Sequence, residues 1–374
     1  MSRVVRFLPE SIWALPIGAA LALTWANALP ESYYLFAHAS RFVVNDVGLT
    51  FFLGIVMKEV WEAMRPGGSL HTWRKVALPL AASIGGAGAS VAVFLLYVHT
   101  AGDRMLAPGW ITPCAVDIAS VYVVGRLLFG RHAGVSFLLM LAIAMNTIGL
   151  VALAVFGPVD GAHAASGIGL MALALGTAFA LRRARVTSFW WYLLGPGVLS
   201  WWALYLSGVH PALALMPIIP FMPHAQRDVG LFVDAAPQAH DTLTMFERWW
   251  GRPVEGILFL FGLVNAGVPM HGFEVGAWAV PVAVIIGRPI GVLVASALAV
   301  GAGLHLPKHL RWPDIAVMGC ISSIGLVMAL FFASATFATG PLLQELKAGS
   351  LLTAFGAVVA LVAARVLHVG RFAR

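Results

Sequence analysis

The chain has 374 residues, 60% of them apolar and only 10% charged, with a formal net charge of +7 and a mean hydropathy of +0.89. Soluble domains carry about 25% charged residues, so a soluble enzyme, a disordered chain and a coiled coil are all excluded. About 20 apolar residues cross a bilayer, so this length holds about twelve membrane helices and little else.

Apolar runs bounded by charge, proline or glycine predict spans at 11–29, 42–64, 76–98, 110–129, 134–156, 162–181, 189–206, 210–222, 254–268, 275–300, 314–337 and 349–367. The fold class is therefore an all-α polytopic membrane protein, one transmembrane domain over 1–374. Helices are required because the bilayer core offers no water to backbone groups. The first apolar run has the length of a span and lacks the small-residue cleavage site of a secretory leader. A linker over 223–253 separates eight spans from four. It ends at Trp249 and Trp250, which read as an interfacial aromatic belt.

Loop charge supports the count. With an even number of spans both termini share a side, and of the 23 Lys and Arg residues eighteen fall on it while Lys58 and Arg288 lie inside spans. Only Arg41, Arg104 and Lys347 fall opposite. The positive-inside rule then places both termini in the cytoplasm, in a bacterial-type inner membrane with lipid as the surrounding partner. The pI of about 9.8 follows from this topology and implies no nucleic-acid partner. Cys114 and Cys320 lie within apolar segments and support neither a disulfide framework nor a zinc site.

Ionisable groups inside spans are costly, at least about 2.5–3.5 kcal/mol each on insertion scales, and so mark candidate sites. In the second span these are Asp46 near one end and Lys58, Glu59 and Glu62 in the last turns. There Lys58 has room to snorkel; a structural role and a gating or pH-sensing role both fit the three. His210 titrates near neutrality when unperturbed, and at a helix start it also suits a cap. Asp117 lies mid-span, four residues after Pro113. Proline deletes a backbone donor and clashes one turn back, which predicts an interrupted helix beside the carboxylate. Arg288 sits among Gly287, Pro289 and Gly291 in the tenth span. An acid and a base at similar depth pair with each other, so an Asp117–Arg288 ion pair is expected. In the eleventh span Gly319, Ser322, Ser323 and Gly325 predict a second break. Two interrupted spans at matching places in two halves indicate an inverted-repeat secondary transporter with a midplane site.

At these residues the sequence resembles the NhaA-type sodium/proton antiporter family. The matches include Asn45-Asp46, Pro79 with Gly85-Gly86, and Gly109-Trp110 with Pro113. Ala115 to Ala119, Phe137 to Ala142, Ser207 to His210, Asn265 to Val268 and Gly287-Arg288-Pro289 follow in family order. The resemblance implies inverted repeats in 76–156 and 275–367, with the fourth and eleventh helices interrupted and crossing at the site. It implies exchange of sodium or lithium for protons and no cofactor.

The chain departs from the family pattern at the site. Two adjacent aspartates of the fifth helix become Asn146 and Thr147, the threonine before the fourth-helix aspartate becomes Val116, and the tenth-helix lysine becomes Arg288. The segment Pro30 to Arg41 is too short for the hairpin through which members form homodimers. One reading keeps sodium or another monovalent cation at Asp117 and Thr147, helped by Asn146, in exchange for protons. Another uses Arg288 and half-helix N-termini for a small anion or neutral solute. A third is a transport-inactive membrane sensor. The mid-membrane residues hold no nucleophile–base pair, so no enzyme is expected.

Overall fold

The computed structural model describes residues 3–64, 73–101, 104–130, 134–156, 164–223, 241–269, 274–307, 310–337 and 339–372. Every regular element among them is helical. The helices are α1 (Arg3–Ala28), α2 (Pro30–Arg41), α3 (Leu49–Met64), α4 (Trp73–Ala101), α5 (Ile118–Phe129), α6 (Gly134–Phe156), α7 (Ala164–Arg183) and α8 (Phe189–Tyr192). They continue as α9 (Val198–Leu206), α10 (Thr242–Asn265), α11 (Ala279–Val282), α12 (Arg288–Gly301), α13 (Trp312–Ile321), α14 (Leu326–Thr336), α15 (Pro341–Leu352) and α16 (Gly356–Val366). The protein is an all-α, multi-pass membrane protein. Among the described residues five helices are long and apolar enough to cross a bilayer, or seven if each of two sharply bent pairs is one span.

The chain divides into two compact units. One comprises residues 1–22, 30–68 and 156–264; the other comprises 23–29, 69–155 and 265–374. In the first, α2 and α3 are joined by the π-helical stretch Phe42–Gly48 into one continuous rod. The expected loop over Pro30 to Arg41 is therefore helix, and only Leu29 separates it from α1. Helix-start and helix-end chemistry explains this: Pro30 opens it, Glu31 lies in its first turn, and His38 and Arg41 lie in its last. The expected eighth span is also different. Residues 210–222 form turns around two short 3-10 segments, Pro211–Leu213 and Ile219–Phe221. Three prolines in this stretch, Pro211, Pro217 and Pro220, each remove a backbone donor and forbid a regular helix. The expected linker over 223–253 is helical from Thr242 onward, and residues 224–240 lie outside the described ones.

The second unit presents the same order twice: a long helix, a broken helix, a long helix. The first triplet is α4, then a 3-10 stretch Arg104–Cys114 leading into α5, then α6. The second begins with Val275–Trp278, α11, a π-turn at Ala283–Gly287 and α12, proceeds through α13 and α14, and ends with α15 and α16. The bend within the first broken helix is 56° and within the second 52°. Long helices α4 and α12 approach almost backbone to backbone. A Cβ on Gly85 would stand 2.1 Å from that of Ala295, and one on Gly291 would stand 2.2 Å from the Gly85 carbonyl oxygen. Small residues allow such contact in membranes, where dispersion replaces the hydrophobic effect as the attraction between helices. This crossing fixes the tenth-span segment that carries Arg288.

Apolar packing surrounds the breaks. Val116 and Ile324, one from each break, belong to a single buried cluster with Leu138, Met145, Val292 and Ile321. The unwound backbone is thus enclosed by protein, the condition under which irregular chain is tolerated at membrane depth.

Candidate functional site

The first break is the extended stretch Ala115-Val116-Asp117 and the second is Ser322 to Gly325. They hydrogen-bond to each other: the Asp117 backbone N–H donates to the Ile324 carbonyl at 2.7 Å. Gly325 lies so close that a Cβ there would stand 3.0 Å from the Ala115 carbonyl oxygen. Each broken helix leaves free carbonyls where it ends and free N–H groups where it resumes, and the side chains around the crossing meet them in turn.

The carbonyl ends are met by Arg288. Its Nη1 donates to the Ser322 carbonyl and its Nη2 to the Pro113 carbonyl. One fully buried guanidinium thereby bridges the C-terminal ends of both half-helices, where the helix dipoles concentrate negative potential. Arginine suits this because its planar fork holds two donors at fixed spacing. The expected Asp117–Arg288 ion pair is not formed; among the described residues no Asp117–Arg288 contact falls within ion-pair distance. Main-chain oxygens outcompete the carboxylate because two interrupted helices place unpaired carbonyls directly beside the guanidinium.

The N-terminal end of α5 is met by Asp117 itself. Its backbone is extended, and its carboxylate accepts from the Ser120 N–H at 3.4 Å and the Ser120 hydroxyl at 2.8 Å. Asp117 is therefore the N-cap of its own half-helix. At the second break the Gly325 N–H donates to the Thr353 hydroxyl oxygen at 3.3 Å, and that hydroxyl donates to the Ser350 carbonyl at 2.6 Å. Ser323 donates to the Val284 carbonyl at 2.6 Å, inside the π-turn before Arg288, and Ser322 donates to the Gly319 carbonyl at 2.7 Å.

Asn146 braces the first break from α6. Its Oδ1 accepts from the Val116 N–H at 2.8 Å and its Nδ2 donates to the Val116 carbonyl at 2.6 Å. Both main-chain polar groups of Val116 are thus satisfied by one amide, as a neighbouring β-strand would do. Thr147 donates to the Ile143 carbonyl at 2.8 Å, and its oxygen lone pairs remain able to accept. Among the described residues Asp117 is the one carboxylate at the crossing. Asp314 sits at the start of α13 with the Arg311 N–H at 2.7 Å. Glu345, buried in α15, lies against Gly276, where a Cβ would meet its Oε2 at 1.8 Å.

Pro113, Val116, Asp117, Asn146, Arg288, Ser322, Ser323 and Gly325 therefore come together around the crossing. The second-span candidates lie in the other unit. Lys58 Nζ is 2.9 Å from Glu62 Oε2 and 2.9 Å from Glu247 Oε2. The Lys58 side chain is 4% exposed and does not snorkel: two carboxylates hold its ammonium between α3 and α10. The Glu59 side chain lies outside the described residues. His210 Nδ1 accepts from the Ala212 N–H at 3.3 Å, capping the turn, while its Nε2 is 3.9 Å from Asp46 Oδ1. Trp250 stacks on Phe51 with ring centroids 3.5 Å apart.

Sequence reasoning passed over Ser120, Thr353, Glu247 and Glu345. Ser120 had a signal, an N-cap aspartate followed three residues later by a hydroxyl residue. Thr353 in an apolar helix carries none.

The chain is 39% identical, over 98% of its length and 97% of the relative's, to a protein of Desulfitobacterium hafniense named Na(+)/H(+) antiporter NhaA. It is 39% identical to Na(+)/H(+) antiporter NhaA 1 of Pelobacter propionicus and 37% identical to the NhaA of Geobacter metallireducens, over 99% of this chain and 100% of each relative. The model of the family described as Na+/H+ antiporter 1 matches residues 10–367, and the chain belongs to that family.

Proposed function

We propose that the protein is a secondary transporter that exchanges sodium, or lithium, for protons across a bacterial inner membrane, with both termini in the cytoplasm and Asp117 at the exchange site. The observation that carries this reading is the lone carboxylate at the crossing of two broken helices, held by one serine and not neutralised by Arg288. Such a group takes either a proton or a small hard cation, but not both, and this competition is what exchange requires. Thr147, next to Asn146 in α6, keeps acceptor lone pairs beyond its bond to the Ile143 carbonyl and is the neutral oxygen this reading assigns to the cation. Asn146 serves the break: its amide is engaged on the Val116 peptide at both ends. Arg288 keeps its charge at any physiological pH and neutralises carbonyl ends without carrying protons. Both of its terminal nitrogens donate to main-chain carbonyls, and although its buried Nε has no partner, these contacts favour a structural role over an anion site.

One carboxylate exchanges one proton for one monovalent cation, so the cycle moves no net charge. The first test is flux. In proteoliposomes with an acidic lumen, sodium or lithium added outside is expected to collapse the pH gradient, and raising the external proton concentration is expected to raise the sodium concentration needed for half the effect. Failure of every monovalent cation to dissipate the gradient would overturn the reading and favour a transport-inactive sensor.

A further inference from the structure

We infer that Ser120 is a specificity-determining residue of the exchange site, its hydroxyl serving as a cation ligand beside Asp117. The inference rests on the reading of Asp117 as the exchange group. The Ser120 oxygen lies 2.8 Å from Asp117 Oδ2 and on the same turn of α5. Two oxygens that close fit in one coordination shell, where hard cations of calcium's size sit about 2.3–2.6 Å from each ligand; sodium is of similar size.

The Ser120 hydroxyl is uncommitted on its acceptor side, as are those of Thr147, Ser322 and Ser323, but of these four it is the one hydrogen-bonded to the Asp117 carboxylate. Asn146 is engaged at both ends, and the Thr353 hydroxyl both accepts and donates. Ser120 only donates, to the carboxylate, and is partly exposed while Asp117 is buried. When a cation arrives, the hydroxyl hydrogen must turn away from the carboxylate. The oxygen lone pairs then face the same ion as the carboxylate. When a proton arrives instead, it binds the carboxylate oxygen and the serine hydrogen bond keeps the group in its capping position.

A neutral hydroxyl adds no charge to the site, so it alters affinity and selectivity without changing how many protons are exchanged. Lithium is smaller than sodium and sheds water more reluctantly, as magnesium does relative to calcium. It therefore keeps more of its own water and depends less on any one oxygen supplied by the protein.

The test uses the purified full chain in proteoliposomes with sodium chloride and lithium chloride. Ser120→Ala is expected to raise the half-saturating sodium concentration about tenfold, in line with losing one hydrogen-bonding group to a charge, and the lithium value by less. The maximal rate should stay within about twofold, and Ser120→Thr should restore both affinities. A fall in maximal rate with unchanged half-saturation, or equal curves for wild type and Ser120→Ala, would overturn the inference. If Ser120→Ala is poorly folded by size exclusion, Ser120→Cys keeps the volume and replaces the hard oxygen with a soft sulfur; the same loss of affinity is then required. Asp117→Asn run in parallel separates the two claims. Exchange that survives it contradicts the role of Asp117, whereas exchange lost with it and indifferent to Ser120→Ala contradicts only the role of Ser120.

Discussion

Asp117→Asn is expected to reduce sodium-driven proton movement to the level of protein-free liposomes, at least about a hundredfold, while the protein stays folded. Asparagine and aspartate are nearly equivalent N-caps. The substituted side chain therefore still accepts from the Ser120 N–H, and the Asp117 backbone N–H still donates to Ile324. What disappears is the negative charge and the exchangeable proton, so the variant separates catalysis of exchange from architecture. The melting temperature in detergent should match wild type within a few degrees. A collapse of the fold would show that the charge is needed for the break; retained exchange would show that protons travel by another group.

The second large effect belongs to stability. Arg288→Met fits the space of the aliphatic stem but abandons the Pro113 and Ser322 carbonyls, both enclosed in protein. Each buried acceptor left without a partner costs about 1–3 kcal/mol, and bonds to charged groups are worth more than neutral ones. The guanidinium also offsets the negative ends of two half-helices, at about 0.3–1 kcal/mol each or more when buried. The expected loss is therefore about 3–8 kcal/mol, read as a melting temperature lower by about 10 °C or more. Arg288→Lys should be intermediate, since an ammonium retains charge and can reach one carbonyl well but lacks the fork that spans both. A variant with methionine at 288 that melts like wild type would show that the half-helix ends are held by something else.

These two expectations divide roles that the sequence alone suggested were shared. Composition and apolar runs made the membrane class plain, and Pro113 with the small residues Gly319, Ser322, Ser323 and Gly325 marked both breaks. Asp117 was recognisable because a charge in the middle of an apolar run demands a reason. The partner of Arg288 was not recognisable. Charge complementarity points one buried base at one buried acid, but the free carbonyls that win exist only after two helices have been interrupted and brought across each other.

The same limit explains Asn146 and Thr353. Each satisfies backbone at a break far away in sequence, and nothing in its own helix announces the task. Where local chemistry was decisive, the signs were present but easy to weigh wrongly. The proline start and the terminal charges of α2 are helix signals that a short polar stretch between apolar runs disguises as a loop. In residues 210–222 the opposite happened: apolar composition suggested a span, while three prolines dictated turns. Lys58 shows a further point. Its depth could be read from the sequence, but Glu247, one of its two partners, comes from a helix that begins inside the expected linker.

The coupling ratio tests the account most directly, because it counts the exchangeable carboxylates. Proteoliposomes carrying defined sodium and proton gradients, with the membrane potential clamped by potassium and valinomycin, yield the gradient ratio at which net proton flux reverses. A single exchangeable carboxylate predicts reversal when the sodium and proton concentration ratios are equal, at every clamped potential. Reversal that moves with potential, or that requires two protons per sodium, would contradict a site built on Asp117 alone.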